Sequence, residues 1–403
     1  KGSGGGKGSG GGKDGDMEGG VELTSASPAF LDGLGGDLGS DDAEVLAAAR
    51  FVRSGEALKS PDTCIVLEGF VRVYPGRGFT GAPKVAVSGL DLAINYGECF
   101  GLLGPNGAGK TTTLETLSGL ALPQGGRALI GGVDLAKDPK GALANIGVCP
   151  QFDVVWGELT VKEHLMLYSK LKGVARAQQR AAATLAATKV GLDGDAFGLK
   201  SRELSGGMRR RLSIAAALVG DPQVVIFDEP TTGLDPDTRR QIWDIVSKEK
   251  RPGRAIIITT HSMEEADTLC ERIGIMAGGK LRALGTPQRL KTTYGSGFKL
   301  DLTLRAAPAL GGSAQASSGG PLEHESVDAL VQSFCKGAGE LVSQRVMGRV
   351  VTYALPKASG FDAAGALSRL QASSAKHGIT DWALAQPSLE EVFINIANKY
   401  TVD

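Results

Sequence analysis

The residues best suited to chemistry lie in one glycine-rich loop. Residues 104–111 read Gly-Pro-Asn-Gly-Ala-Gly-Lys-Thr, which fits the pattern G-x-x-x-x-G-K-[ST] of loops that wrap the phosphates of a nucleoside triphosphate. Glycine lets the backbone curl until several N–H groups point inward and form a nest for an anion. Lys110 adds a positive charge for the β- and γ-phosphates, and Thr111 offers a hydroxyl to Mg²⁺. We expect phosphate to be bound by Gly104, Pro105, Asn106, Gly107, Ala108, Gly109, Lys110, Thr111 and Thr112.

The segments on either side of this loop predict the elements that position it. Cys99–Leu103 is a short apolar run, typical of a buried strand. Thr111–Leu117 predicts a helix, whose N-terminus then faces the phosphates. A strand, a glycine-rich turn and a helix in this order form the context in which the loop pattern becomes specific.

A second candidate site lies where another apolar run ends in two acids. Val224–Phe227 predicts a buried strand, and Asp228 and Glu229 follow it directly. Ligands bind outside the carboxyl ends of the strands in open α/β sheets. Asp228 is then placed to hold Mg²⁺ through water, and Glu229 to polarise an attacking water as general base. The alternative, two acids that only face solvent, becomes minor because a phosphate loop occurs in the same domain.

The tripeptide Ser205-Gly206-Gly207 is a third candidate. Serine is a favoured N-cap, and the two glycines open a predicted helix over Met208–Val219. The N-terminus of this helix can receive an anion, yet one domain does not need two such helix ends for one nucleotide. We therefore expect it to face the γ-phosphate bound by another copy of the domain. A plain loop is the alternative, and the tripeptide taken alone favours that alternative.

The composition of the whole chain excludes several classes of protein. Its 403 residues are 42% hydrophobic and 22% charged, as in ordinary globular proteins with room for two domains. With 44 basic and 44 acidic residues the net charge is zero, so we expect no nucleic-acid partner. The five cysteines lie far apart, which indicates reduced thiols and neither a disulfide framework nor a zinc site. No apolar run reaches the ~18–20 residues that span a bilayer, and we expect no signal peptide at the start of the chain.

Periodicity divides the chain into three parts. Residues 1–60 are Gly-rich, then acidic and Ala-rich, which predicts a disordered linker, with a short helix over Asp41–Val52 as the alternative. Residues 63–295 alternate apolar strand runs with helix signals and predict an α/β domain, in which residues 152–220 form a helical insertion. Residues 297–403 predict the order β-α-β-β-α-β of a ferredoxin-like sandwich.

These motifs resemble a known family when they are taken in order. The phosphate loop, Gln151, Leu-Ser-Gly-Gly, the Asp228-Glu229 pair, Gly233-Leu-Asp and His261 follow one another as in the nucleotide-binding domain of ATP-binding-cassette (ABC) proteins. Details such as Cys-Pro-Gln-Phe-Asp and His-Ser-Met-Glu-Glu-Ala most resemble subfamily A, the lipid-exporter branch, and residues 386–395 resemble the end of its regulatory domain. The resemblance implies a P-loop NTPase (ABC ATPase) domain over roughly residues 63–295 with a helical subdomain, followed by a small α+β ferredoxin-like domain.

The resemblance also implies roles for matching positions. Tyr74 would stack on adenine, with a half-buried tyrosine at a strand end as the alternative. Gln151 would contact Mg²⁺ and the attacking water, and would relay the nucleotide state through Phe152–Trp156. His261 would bind the γ-phosphate. The implied ligands are ATP and Mg²⁺, and the implied metal-binding residues are Thr111, Gln151 and Asp228.

One departure from the family pattern follows the Leu-Ser-Gly-Gly motif. Most members have Gln next, whereas this chain has Met208 followed by Arg209, Arg210 and Arg211. The serine and both glycines are intact, so the departure concerns the coupling at this helix and leaves the phosphate contact unaffected. The three arginines form either a solvated face or a contact near the γ-phosphate, and we expect the solvated face.

The function that the resemblance implies is ATP hydrolysis coupled to membrane transport. Two such domains would close head-to-tail over two Mg-ATP molecules, and hydrolysis would reopen them. The partners would be a second nucleotide-binding domain and the transmembrane domains of a transporter, at the cytoplasmic face of a membrane, with lipid as the transported substrate.

Two alternatives come from other functional classes. A soluble ABC ATPase that acts on ribosomes or nucleic acid is disfavoured by the single cassette and the zero net charge. A nucleotide sensor that does not hydrolyse ATP is disfavoured by the intact Asp228, Glu229 and His261.

Overall fold

A computed structural model describes most of the chain. The described residues are 40–75, 83–295, 297–305, 321–334, 343–347, 349–355, 363–374 and 376–401. The strands are β1 (Thr63–Tyr74), β2 (Lys84–Asn95), β3 (Cys99–Leu103), β4 (Gly125–Ile130), β5 (Val133–Asp134), β6 (Ile146–Cys149), β7 (Val224–Asp228), β8 (Ala255–Thr259), β9 (Arg272–Ala277), β10 (Lys280–Gly285), β11 (Lys299–Leu304), β12 (Ser343–Met347), β13 (Val350–Ala354) and β14 (Ile379–Ala385). The α-helices are α1 (Ala43–Arg53), α2 (Glu56–Lys59), α3 (Lys110–Leu117), α4 (Pro139–Leu143), α5 (Val161–Leu171), α6 (Gln179–Lys189), α7 (Gly206–Leu218), α8 (Pro236–Glu249), α9 (Met263–Leu269), α10 (Pro287–Tyr294), α11 (Pro321–Phe334), α12 (Ala363–Ser373) and α13 (Leu389–Thr401). Within the described ranges, no helix combines the length and apolarity that crossing a bilayer requires.

A six-stranded sheet forms the centre of the first domain. Its order is β10-β9-β3-β8-β7-β6, in which the strands from β9 to β6 run parallel and β10 pairs with β9 antiparallel. The apolar runs of β3 and β8 are buried at every position, as expected for central parallel strands covered on both faces. This confirms the α/β prediction for the domain.

The two faces of this sheet bury alternate residues against different layers. On β7, Val225 and Phe227 belong to the core shared with the helices that follow β6, whereas Val224 and Ile226 face the core shared with the first strands. That second layer is an antiparallel sheet of order β2-β1-β4-β5. The α-helix α3, which starts at the phosphate loop, contributes Leu114 and Leu117 to the same layer.

The segment between β6 and β7 is helical, as predicted. It contains α5, α6, α7 and two short 3-10 helices, Gly194–Gly198 and Ser201–Glu203. A capping box starts α5, since the Glu163 N–H donates to Thr160 Oγ1 (3.2 Å) and the Thr160 N–H donates to Glu163 Oε2 (2.8 Å). The insertion packs on the sheet through buried apolar residues of all three α-helices.

The C-terminal part forms a separate antiparallel sheet with helices. Its order is β12-β13-β11-β14, and every pair within it is antiparallel. The chain order β11-α11-β12-β13-α12-β14 is the β-α-β-β-α-β order predicted from the sequence. Leu302, Val331 and Tyr353 lie in its own buried core.

The last helix, α13, does not pack in that core. Its buried residues Leu389, Val392 and Ile396 lie in the core of the first domain, together with Leu290 of α10. Asn395 Nδ2 also donates to the Tyr294 carbonyl oxygen at the end of α10 (3.0 Å). The C-terminal part is therefore attached to the first domain at both of its ends.

The N-terminal segment differs from the linker that the sequence predicts. Residues 1–39 lie outside the described residues, and the prediction stays untested there. Within residues 40–60 the linker prediction is wrong and the alternative of a short helix agrees with the structure, because α1 and α2 form and α1 buries Val45, Ala49 and Val52. These positions lie on one face of a helix, which gives this short stretch an apolar side despite the Gly-rich composition before it.

The start of α1 is anchored by a buried carboxylate. Asp42 caps the helix by accepting from the N–H groups of Glu44 (2.7 Å) and Val45 (3.2 Å). The Arg289 guanidinium donates to both of its carboxylate oxygens (3.1 and 3.0 Å), and the Tyr294 hydroxyl donates to it as well. Burial raises the pKa of Asp42, but these hydrogen bonds outweigh burial and hold the pKa below its usual range.

Replacing Asp42 with alanine should lower the free energy of unfolding by about 2 kcal/mol, since an N-cap alone is worth about 0.5–2 kcal/mol. The loss of the partner of Arg289 acts in the same direction. Urea unfolding measures the change. Asp41→Ala is the matched control, because the Asp41 side chain is 92% exposed in its pair with Lys399 and an exposed pair is worth less than about 1 kcal/mol. Equal losses in the two variants would contradict the anchoring role of Asp42.

Candidate active site

The predicted phosphate loop connects β3 to α3 at the carboxyl end of a central strand. Because β3, β8 and β7 are parallel neighbours, their carboxyl ends meet at one edge of the sheet. That edge is where open α/β sheets bind ligands. This arrangement brings together the phosphate loop, the Asp228-Glu229 pair after β7 and His261 after β8.

The backbone of the loop requires glycine where it turns into α3. Gly109 has φ +104°, a conformation that side chains rarely adopt. A Cβ at this position would lie 2.6 Å from the Ala86 carbonyl oxygen, so β2 leaves no room for one. Gly109 is also the N-cap of α3 and gives it no side-chain cap. The positive end of this helix is therefore built from backbone, as the anion-nest prediction requires.

These residues surround a cavity of about 760 Å³. This volume lies within the roughly 300–1,000 Å³ of typical ligand sites. The cavity is lined by Tyr74, Pro75, Lys84, Ala86, Asn106, Gly107, Ala108, Gly109, Lys110, Thr111, Thr112, Gln151, Asp228, Glu229 and His261. Most of the residues predicted for one nucleotide site therefore line one cavity. Pro75, Lys84 and Ala86 also line it, although no sequence motif includes them.

Lys110 is the buried cation of this cavity. Its Nζ donates to the carbonyl oxygens of Gly104 (2.6 Å) and Pro105 (3.2 Å). Burial lowers the pKa of Lys110, and the negative charges of Glu229 and Asp228 act against that shift. Gly104 and Pro105 thus hold the lysine through their backbone and are not part of the cavity lining.

The two acids after β7 have different surroundings. Asp228 accepts a hydrogen bond from the Thr259 hydroxyl of β8. Glu229 has φ +45°, a strained backbone conformation that costs about 1–3 kcal/mol and occurs mostly at functional sites. Its N–H donates to the Thr259 carbonyl oxygen (3.0 Å). The turn thereby directs the two side chains to separate partners.

The Glu229 carboxylate is the meeting point of the other predicted catalytic residues. Gln151 Nε2 donates to Glu229 Oε2 (2.9 Å), and the Thr232 hydroxyl donates to the same oxygen (3.1 Å). His261 Nε2 lies 2.8 Å from Oε1. The structure therefore brings Gln151, Glu229 and His261 into direct contact.

Tyr74 lies at the end of β1 beside the phosphate loop. Its hydroxyl donates to Glu115 Oε2 (2.9 Å) and lies 3.5 Å from Thr112 Oγ1. The Arg72 guanidinium lies 5.3 Å from the ring centroid, within the range of a cation–π contact. Tyr74 also lines the cavity, and its stacking on adenine stays a prediction.

The tripeptide Ser205-Gly206-Gly207 lies elsewhere. Ser205 caps α7, because its Oγ accepts from the Met208 N–H (3.2 Å), as the N-cap prediction expects. Ser205 and Gly206 are exposed, and the tripeptide lies outside the lining of the cavity. The chain thus has a second helix end suited to an anion, apart from its own phosphate loop.

The expectation of a solvated face for the three arginines is wrong for Arg210. Only 4% of Arg210 is exposed, and its guanidinium donates to several acceptors around the cavity. The helical spacing could have indicated this burial, since Arg210 lies three residues before Ser213 and seven before Ala217 and both of these are buried. Arg209 and Arg211 donate to backbone carbonyl oxygens away from the cavity.

Residues after Gln151 form an exposed apolar loop. Phe152 is 78% exposed, and Val154 and Trp156 are also exposed. Large apolar side chains grouped on a surface indicate a contact with another molecule or domain. The loop is the segment that the resemblance assigns to relaying the nucleotide state.

Comparison with known proteins identifies this domain. Residues 87–232 match the family model described as ABC transporter. ABC transporter A family member 2 of Arabidopsis thaliana is 39% identical over 372 residues, which cover 89% of this chain and 36% of that protein. Member 11 of the same family is 40% identical and covers 85% and 36%. The chain thus spans about a third of the length of these relatives.

Solved structures agree with the sequence matches. The ATP-binding subunit of an ABC transporter superposes with a TM-score of 0.51 at 26% identity, covering 58% of this chain and 94% of that one. An ATP-binding cassette solved as a dimer in a post-hydrolysis state with ADP and Pi gives 0.50 at 25% identity, covering 55% and 98%. The first domain of this chain is therefore the ATP-hydrolysing nucleotide-binding domain of an ABC transporter, and the chain resembles the A family members over most of its length.

Proposed function

We propose that this chain is the ATPase part of a lipid transporter and works as one of two cassettes that close head-to-tail over two Mg-ATP molecules. The observation that carries the proposal is the contact of Glu229 with Gln151 and His261 in the cavity of the phosphate loop. The Ser205 helix end outside this cavity supports the two-cassette arrangement.

In this proposal ATP is held by backbone, charge and stacking. The N–H groups of the loop and the Lys110 ammonium bind the β- and γ-phosphates. The Tyr74 ring stacks on the adenine at the side of the cavity. Because most of these groups belong to the backbone or to buried side chains, the site is largely preorganised.

The residues around the phosphates fit Mg²⁺. Thr111, Gln151 and Asp228 all line the cavity and offer oxygen atoms, the ligands that Mg²⁺ prefers, while the phosphates supply others. When bound, Mg²⁺ neutralises charge on the phosphate oxygens.

Hydrolysis then depends on three side chains in contact. The Glu229 carboxylate accepts a proton from the attacking water as general base. Gln151, which already donates to this carboxylate, orients the water. His261 lies on the other carboxylate oxygen and binds the γ-phosphate.

The second cassette completes each site in this proposal. The N-terminus of α7, with Ser205, Gly206 and Gly207, binds the γ-phosphate held by the partner domain. The similarity to a cassette solved as a dimer with ADP and Pi supports this arrangement.

Transport requires contact with transmembrane domains at the cytoplasmic face of a membrane. The exposed Phe152, Val154 and Trp156 provide an apolar surface for that contact. Their loop starts at Gln151, so it joins the nucleotide site to this surface. A lipid substrate is supported by the motifs shared with the lipid-exporter branch and by the identity of up to 40% with A family transporters.

Replacing Glu229 with glutamine should lower ATP turnover by about 10²–10⁴-fold, the usual weight of a general base. Binding of ATP should persist, because the loop and Lys110 are unchanged. Phosphate release and binding of a fluorescent ATP analogue measure the two effects. Glu264→Gln is the matched control, since Glu264 is exposed on α9 and should leave turnover unchanged. Full turnover in Glu229→Gln would remove this residue from its proposed role.

In the Glu229→Gln background, ATP should drive the chain into dimers, and the further change Ser205→Arg should prevent this. A bulky cation at the exposed N-cap blocks the approach of the partner domain, while the cavity that binds ATP stays intact. Size-exclusion chromatography with light scattering measures the dimer, and nucleotide binding is the control. Dimers that still form in Ser205→Arg would contradict the head-to-tail arrangement.

The full-length protein that contains this chain should move lipid when it is reconstituted in vesicles. We expect ATP to change the leaflet distribution of a fluorescent phospholipid, measured by quenching from outside, and Glu229→Gln to abolish the change. ATP hydrolysis without redistribution of any of several lipid classes would contradict the lipid substrate and leave the ATPase assignment intact.

A further inference from the structure

Arg210 is a buried cation within the nucleotide-binding domain that none of the motifs accounts for. It lies in the second turn of α7, five residues after the Ser205 N-cap, and its side chain is 5% exposed. A buried guanidinium is costly unless its donors are satisfied. Its partners therefore indicate what it is retained to do.

The guanidinium reaches two separate loops of the site. Its Nη1 donates to the carbonyl oxygens of Pro150 (2.7 Å) and Gln151 (3.2 Å) in the loop after β6. Its Nη2 donates to the carbonyl oxygens of Asp228 (3.1 Å) and Glu229 (3.0 Å) in the turn after β7. Its Nε donates to the Pro230 carbonyl oxygen (2.7 Å) in the same turn.

The positive charge of Arg210 is paired with the carboxylate of Asp153, which lies in the loop after β6. Asp153 Oδ1 accepts from Nη1 (3.1 Å) and also from the Ser213 hydroxyl of α7 (2.9 Å). Asp153 follows Gln151 by two residues, so this ion pair fixes the same loop a second time. The other end of the loop continues into the exposed apolar segment.

The backbone that Arg210 holds carries the two side chains whose contact matters for hydrolysis. The Gln151 amide and the Glu229 carboxylate are hydrogen-bonded at 2.9 Å, and Arg210 donates to the main-chain oxygens of both residues. Glu229 also has a strained backbone, which persists only where surrounding contacts over-determine it. Arg210 supplies such contacts on both sides of the turn.

We propose that Arg210 is a positioning residue that holds the Glu229 carboxylate and the Gln151 amide in the relative position that hydrolysis requires. This inference rests on the proposed function, in which Glu229 is the general base. Arg210 itself touches neither the nucleotide nor the attacking water in this scheme. It acts through the backbone of the two loops.

The planar guanidinium is essential to this role. Its five N–H donors lie in one plane and point in fixed directions, so one group can bridge two loops. A lysine carries the same charge but presents three donors at a single point. Lysine can satisfy one of the loops and leaves the carbonyl oxygens of the other without this partner.

The first test compares Arg210→Lys with Arg211→Lys in the full chain. Arg211 is the matched control, because it lies on the same helix and donates to the Val190 and Gly191 carbonyl oxygens away from the cavity. Arg210→Lys should lower kcat by about 10²-fold, the cost of a small misplacement of catalytic groups. Affinity for ATP should stay close to that of the unchanged chain, and the variant should remain folded at the temperature of the assay even though the lost hydrogen bonds lower its melting temperature. Unchanged kcat in Arg210→Lys overturns the proposal.

A double-mutant cycle separates positioning from general destabilisation. If Arg210 acts through Glu229, then Arg210→Lys should cause no further loss of turnover in the Glu229→Gln background, because residues that act as a unit are non-additive. A full additional loss there overturns the proposal. Normal turnover in Glu229→Gln alone would instead refute the proposed function, so the two failures can be told apart.

A second variant covers the case in which Arg210→Lys does not fold. Asp153→Asn keeps the guanidinium and removes the charge that holds it on the Gln151 loop. We expect a lower kcat at unchanged ATP affinity, and unchanged kcat in this variant overturns the proposal.

Discussion

The parallel pairing of β3, β8 and β7 is the constraint on which the site depends. In this register Thr259 of β8 lies opposite both Leu102 of β3 and Asp228 of β7. The loop that follows β3 and the acids that follow β7 therefore leave the sheet at nearly the same level. A shift of the pairing by one residue would turn every side chain of a strand to the other face. The buried apolar residues on both faces of these strands prevent such a shift, so packing of the core fixes the distance between Lys110 and the two acids.

The buried charge of Lys110 and the strained backbone of Glu229 are each stabilised by neighbouring residues at this edge of the sheet. Lys110 is buried beside Asp228 and Glu229, whose charges oppose the lowering of its pKa by burial. Glu229 adopts a backbone conformation that is unfavourable by itself. Thr259 accepts from its N–H and Arg210 donates to its carbonyl oxygen, so the strained residue is held from both sides. The helix that contains Arg210 also begins at the exposed Ser205. Helix α7 therefore connects the backbone of the site to the surface at its own N-terminus.

The sequence predicted most elements and the composition of the cavity, because the signals are local. Continuous apolar runs marked β3 and β7, and the first residues of the motifs follow them directly. It did not predict β4 or β10, because glycine and basic residues interrupt the apolar residues of both strands and neither strand is a continuous apolar run. It also missed Arg210, since arginine is mostly exposed in proteins. The helical spacing around Arg210 could indicate that it is buried, but its acceptors come from two loops about 60 and 20 residues away, so no local pattern predicts its partners.

The attachment of α13 determines how the C-terminal sheet can move relative to the ATPase domain. Leu389, Val392 and Ile396 are buried in the core of that domain. Exposing each such side chain costs about 1.5–3 kcal/mol, so withdrawal of the helix would cost roughly 5–9 kcal/mol by the same measure. That amount is comparable to the whole stability of many domains, about 5–15 kcal/mol. The helix therefore stays with the ATPase domain, and any rotation of the sheet involves both of its connections to that domain, the one between α10 and β11 and the one between β14 and α13.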